Sequence, residues 1–218
     1  MNYYVINLET ATDRLSNIDK YFQNNKLEYN VFKAINGKEL KLSPIIFHPY
    51  FLNRNSLQLF NNYRGSIACS LSHIKLWKQI LNNSKDDINV ILEDDIKFDN
   101  LFEQKIKYYI SRLPPDWDVL YLGRKYLSGK KVNKYFIKGH KISKRGYNVS
   151  SYGYVLKKKG SKKLLNIVYP LTNIEQDLTL RQNLDKYNAY FLIKPIVFHE
   201  NFKSCISMNN NNNRKFLI

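Results

Sequence analysis

The chain alternates short apolar runs, rich in β-branched and aromatic residues, with stretches whose apolar residues recur every three or four positions. Tyr3 to Leu8 (YYVINL) reads as a first strand; a helix follows, capped by Thr10 or Thr12, with Leu15, Ile18 and Phe22 on one face. Tyr29 to Ile35 reads as a second strand closed by the turn pair Asn36-Gly37. Residues 41–64 show no clean period. From Ser66 to Leu81 the spacing of Ile67, Leu71, Ile74 and Leu81 predicts the clearest helix. Ile88 to Leu92 is an apolar strand, Phe102 to Leu113 a helix stopped by Pro114-Pro115, and Trp117 to Leu122 another buried strand. Tyr152 to Leu156 and Ala189 to Phe198 read as strands, with helices at Ser161 to Val168 and Gln176 to Leu184. This alternation predicts an α/β domain with a largely parallel sheet, a design that binds ligands beyond the carboxyl ends of its strands.

Composition narrows the class. The 218 residues favour one domain, expected over 1–205, with an Asn-rich, mobile tail at 206–218. Two cysteines, Cys69 and Cys205, are too few for a disulfide framework. The start lacks the basic and apolar segments of a signal peptide, and no run of about 18 apolar residues occurs, so the expectation is a cytoplasmic protein without a membrane span. The net charge of +17 raises anionic partners. It is concentrated: Val119 to Ile174 holds 14 basic residues and no acidic one.

The sharpest chemical feature is Glu93-Asp94-Asp95, directly after the apolar run Ile88 to Leu92. Adjacent carboxylates repel, so their placement at a strand end suits a cation or a held proton, although a solvated acidic turn has the same sequence. In extended backbone Glu93 and Asp95 face one side and Asp94 the other. Oxygen donors of this kind favour Mg2+ or Mn2+. His73, after Ser72 on the predicted helix, is either a phosphate or carboxylate partner or an ordinary core-edge histidine. Glu175 and Asp177 return carboxylates at a predicted helix start, as complements to the helix dipole or as a general base. His199-Glu200 ends the last strand, as metal-shell residues or as surface.

Seven segments together resemble glycosyltransferase family 25, which includes bacterial lipooligosaccharide and collagen galactosyltransferases. They are YVINLETATDRL near the start, FKAINGKEL at 32–40, GSIACSLSHIKLWKQI at 65–80, VILEDDIKF at 90–98, DVLYLG at 118–123, YGYVLKKKGSKKLL at 152–165 and IEQDL at 174–178. The resemblance implies a GT-A-like, Rossmann-like fold and a metal-dependent, inverting transfer of galactose or another hexose from a UDP-sugar to a hydroxyl of a glycan or protein. It implies Glu93 and Asp95 as ligands of Mn2+ (or Mg2+), with Asp94 toward the diphosphate. Asn7, Leu8 and Arg14, with Ala34, Asn36 and Gly37 beside them, would form the nucleotide-sugar end, joined by Ser72 and His73. Asp177 would be the acid near the acceptor, with Glu175 as fallback. Where the family often carries a glutamine, this chain has His199-Glu200, which adds His199 as a third metal ligand.

Two other classes remain open at this stage. A nucleic-acid-binding protein would stack bases on Tyr121, Tyr126, Tyr135, Tyr147, Tyr152 and Tyr154 among the lysines, but leaves the acidic triplet without a role. A catalytically inactive transferase-like binding domain is the other. No serine elbow, HExxH or phosphate loop is present.

Overall fold

The computed structural model describes residues 1–41, 56–124, 128–140 and 150–200. The expected tail at 206–218, Cys205, Tyr126 and Tyr147 lie outside the described residues. Strand β1 (Asn2–Asn7) is followed by α1 (Thr12–Asn24), β2 (Asn30–Lys33), α2 (Ser56–Asn83) and β3 (Ile88–Glu93). Then come β4 (Ile96–Phe98), α3 (Phe102–Ile110), β5 (Val119–Tyr121), β6 (Lys130–Lys131), β7 (Phe136–Lys138) and β8 (Gly153–Lys157). Helices α4 (Lys158–Val168) and α5 (Gln176–Gln182) precede β9 (Ala189–Leu192) and β10 (Val197–His199).

An eight-stranded sheet runs in the order β2-β1-β3-β8-β5-β9-β7-β6. Six of its strands point the same way, with β7 and β8 reversed between them. The alternation of side chains along each strand builds two cores. Tyr4, Ile6, Tyr121, Tyr154 and Phe191 face α2, α4 and α5, while Tyr3, Val5, Leu120, Val155 and Tyr190 face α1 and α3. The result is a helix–sheet–helix sandwich. Ile18 and Phe22 anchor α1 at 1 % exposure each, burial worth about 1.5–3 kcal/mol per side chain. The chain steps from β1 to β2 on one side, and α2 then carries it back to β3 on the other. The carboxyl ends of β1 and β3 therefore flank a topological switch point, where open sheets of this kind bind ligands.

Four expectations change. Neither Thr10 nor Thr12 caps α1; its N-cap is Ala11, with no side-chain cap bond. Arg14, not Leu15, is the buried residue of its first turn. Helix α2 begins ten residues earlier than its clear period, bent at Tyr63. The last strand is two strands, since Pro195 supplies no N–H to a ladder. After that break β10 leaves the main sheet and pairs antiparallel with β4, placing His199 opposite Ile96.

Candidate active site

At the carboxyl edge of the sheet Asn7 ends β1, Glu93 ends β3, and the reversed β8 begins at Gly153, opposite Leu92. Two hollows open along this edge. A cavity of about 220 Å³ is lined by Glu93, Asp177, Glu175, His199, Ser151 and Cys69 among others. A second, of about 580 Å³, is bounded by Leu8, Ala34, Ile35, Asn36, Leu40 and Lys75 among others. Of the expected site residues, Glu93, Glu175, Asp177 and His199 line the first but Asp95 does not, and Leu8, Ala34 and Asn36 alone line the second.

The acidic triplet does not alternate as extended backbone would have it, because the strand ends at Glu93. Buried Arg14 receives both following acids, with Nη1 at 3.0 Å from Asp94 Oδ1 and 3.4 Å from Asp95 Oδ2. Arg14 thus pairs with the two acids that follow Glu93. His199 Nε2 lies 3.4 Å from Asp95 Oδ2. It is brought there by the β4–β10 ribbon and by the Glu200 N–H bond to the Asp95 carbonyl. Burial, then the neighbouring Glu93 charge, pushes the Asp95 carboxyl up to about 6, with His199 and Arg14 opposing. Burial also raises Asp94 despite Arg14. Asp95 Oδ1 is buried and accepts no hydrogen bond within the protein.

Glu93 is held from behind. The Trp77 indole N–H donates to the Tyr154 hydroxyl at 2.7 Å. Tyr154 meets His73 Nδ1 at 2.9 Å, and His73 Nε2 meets Glu93 Oε1 at 3.2 Å. Because indole can only donate, Tyr154 is free to donate to Nδ1, so that His73 carries its proton on Nε2 and donates to Glu93. His73 is fully buried, and its Nε2 faces Glu93.

Asp177, at the start of α5, accepts a bond from the Ser151 N–H at 3.2 Å through Oδ2, while its Oδ1 is buried without a partner. Burial pushes its carboxyl up to about 6, with His73 lowering and Glu93 raising it. Glu175 is exposed at the cavity rim. The sequence reading missed Gln176, which fixes this corner. Its N–H donates to Ser70 Oγ at 2.9 Å, and its Nε2 donates to Ser151 Oγ at 2.9 Å. Asp95 keeps an unpartnered inner oxygen with His199 beside it, oxygen and imidazole donors that suit a divalent cation.

Around the larger hollow, Asn7 is buried, donates to the Leu8 carbonyl at 2.8 Å and leaves Oδ1 unpartnered. Asn36 Oδ1 accepts from the Lys38 N–H at 3.0 Å, closing the turn. Gly37 lets that turn touch α2; a Cβ there would sit 2.9 Å from the Arg64 carbonyl oxygen. Ser72 is fully buried and accepts from the Ile35 N–H at 2.8 Å, so it shapes the hollow from inside.

The base-stacking reading loses ground, because Tyr121 and Tyr154 are 2 % and 1 % exposed. Part of the basic segment is spent internally as well: Lys163 pairs with Asp118 at 2.7 Å, and Lys158 bonds the Ser84 carbonyl at 2.8 Å.

An α/β sandwich with an acid-lined cleft at its switch point belongs to the open-sheet α/β class, which binds ligands at that place. The family model described as "Glycosyltransferase family 25 (LPS biosynthesis protein)" matches residues 1–180, and the chain belongs to that family. His199 lies beyond the matched span. A glycosyltransferase 25 family member of Anopheles gambiae is 29% identical over 191 residues, covering 84% of this chain and 30% of that protein. Procollagen galactosyltransferase 2 of Homo sapiens is 25% identical over 175 residues, covering 74% of this chain and 27% of that protein. The chain thus spans under a third of the length of these relatives. The crystal structure of A197 from STIV covers 96% of this chain with a TM-score of 0.48 at 13% identity, too loose a likeness to bear on function.

Proposed function

We propose that residues 1–205 form one transferase domain that moves a hexose, galactose first among them, from a UDP-sugar to a hydroxyl of a glycan or protein with inversion, assisted by Mn2+ or Mg2+. The observation that carries this reading is the acid cleft at the end of β3, lined by Glu93, Asp177 and His199, with Asp95 reaching His199 from beside it. Relatives named procollagen galactosyltransferases support the sugar and the protein acceptor.

Glu93, Asp95 and His199 would hold the metal, which when bound offsets the negative charge that builds on a diphosphate leaving group. The larger hollow receives the nucleoside against Leu8, Ile35 and Leu40, with Asn36 at its turn. His73 keeps Glu93 in register, and Arg14 keeps Asp95 in place. Asp177 takes the proton of the acceptor hydroxyl at Oδ1, the oxygen without a partner; its carboxyl near 6 is poised to accept one close to neutral pH. The peptide N–H of Ser151 fixes the other oxygen and so aims the carboxylate.

The test is a screen of nucleotide sugars with Mn2+ for thermal protection and for transfer, followed by Asp177→Asn. The true donor alone should raise the melting temperature. Asp177→Asn should keep that protection and lose transfer by at least about 100-fold, the scale of general-base catalysis. Normal transfer by a folded Asp177→Asn protein would end the base assignment.

A further inference from the structure

Cys69 and His73 stand one helical turn apart on α2 and so share a face. The Cys69 sulfur, a His73 ring nitrogen and a Glu93 carboxylate oxygen all lie within 4.8 Å of one another. The three are unequally placed: His73 is buried, while Cys69 and Glu93 both line the 220 Å³ cavity. One thiol, one imidazole and one carboxylate differ from the shell of Glu93, Asp95 and His199 beside them by the thiol. They are the donors of a borderline-soft ion, and the 220 Å³ cavity beside Cys69 and Glu93 leaves room for a fourth, solvent ligand. Zn2+ bonds of about 2.0–2.3 Å set tetrahedral donors roughly 3.3–3.8 Å apart, so the trio need close by only about 1 Å. Cys69 sits in the first half of the long, otherwise well-packed helix, and a rotamer change of its short side chain suffices.

We propose that Cys69, His73 and Glu93 form a second metal site, selective for Zn2+ or another thiophilic divalent ion, that shares Glu93 with the acid cleft and disables the cleft when filled. On binding, the Cys69 thiol gives its proton to solvent and the sulfur becomes a thiolate ligand. His73 moves its ring proton from Nε2 to Nδ1, whose N–H then donates a hydrogen bond to the Tyr154 hydroxyl oxygen, and Nε2 turns to the metal. Glu93 then leaves the shell it shares with Asp95. The blocking effect rests on the transferase reading; the binding does not.

The experiment titrates the whole chain, without Mn2+, with Co2+, whose bond to a thiolate gives a charge-transfer absorption in the near ultraviolet. The expected result is a band that saturates at one equivalent, bleaches on adding Zn2+, persists in Cys205→Ser and is lost in Cys69→Ser. No thiolate band at saturating Co2+, or a band that survives Cys69→Ser, overturns the site. In a second arm, Zn2+ should inhibit Mn2+-dependent turnover of the unaltered chain at least tenfold more potently than it inhibits Cys69→Ser, each variant compared with its own Zn2+-free rate. A band without this inhibition would overturn the shared role of Glu93 and leave the binding site standing.

Discussion

Replacing Tyr154 with Phe removes one oxygen from the middle of the chain that supports Glu93. The ring stays, so no cavity opens, but two fully buried neighbours lose their partner at once. Trp77, 1 % exposed, loses the acceptor of its 2.7 Å bond, and His73, with no exposure, loses its 2.9 Å bond at Nδ1. A buried polar group left unpaired costs about 1–3 kcal/mol, and two that share one oxygen are not fully additive, so a loss of about 3 kcal/mol is expected. For a domain of this size each kcal/mol is about 2–4 °C, which places the fall in melting temperature at roughly 6–12 °C. Tyr121→Phe is the matched control: the same hydroxyl deletion in the same core, but with a single 3.3 Å partner, Tyr187. It should cost about 1 kcal/mol or less. Parallel thermal melts decide the matter. If Tyr154→Phe melts no lower than Tyr121→Phe, the Trp77–Tyr154–His73 chain does not hold the site as described.

Arg14→Met should destabilise by about 3 kcal/mol in urea unfolding, because Asp94 and Asp95 would be left buried without their shared cation. Gly37→Ala, which drives a methyl to 2.9 Å from the Arg64 carbonyl oxygen, should cost about 1–3 kcal/mol by the same measurement. The carboxyl of Asp177 lies near 6 in the fold, above its ordinary value, so the folded chain holds that proton more tightly than the unfolded one. Its ionisation therefore weakens the fold above pH 6, and the loss is relieved as pH falls toward 4. Asp177→Asn should accordingly melt no lower than the unaltered chain at pH 7 and should lose this part of the pH dependence. Replacing Lys130, Lys131 and Lys134 with Ala should weaken donor or acceptor binding more at low salt than at high, with turnover at saturation little changed; equal losses at both would remove the electrostatic role.

Strands β1, β3, β5, β8 and β9 were legible because they bury both faces and read as largely apolar runs, whereas β6, two exposed lysines, left no such signal. The acid cleft was legible for a related reason: three carboxylates after such a run have no apolar explanation. What escaped were features set by tertiary contact. Ile96–Phe98 is too short to show a period, and it becomes a strand only through its partner β10. Arg14 was expected only at the nucleotide-sugar end, and its burial against acids 80 positions away leaves no mark in the helix's own spacing. Tyr154 read as one more apolar strand residue, since a hydroxyl's partner leaves no trace in spacing. Gln176 likewise has no period to betray it; its role comes from Ser70 and Ser151, which the fold brings from two other segments.

The most direct test of the account compares Mn2+-dependent donor turnover by the unaltered chain and by Asp95→Ala, with circular dichroism and a melt to confirm that the variant folds. Asp95 carries an inner oxygen that nothing in the protein satisfies, beside Glu93 and His199. Loss of that ligand should reduce turnover by at least about 100-fold, the scale seen when one electrostatic contact to a developing charge is removed. A folded Asp95→Ala protein that turns over the donor at a near-normal rate would contradict the assignment of this cleft as the transfer site.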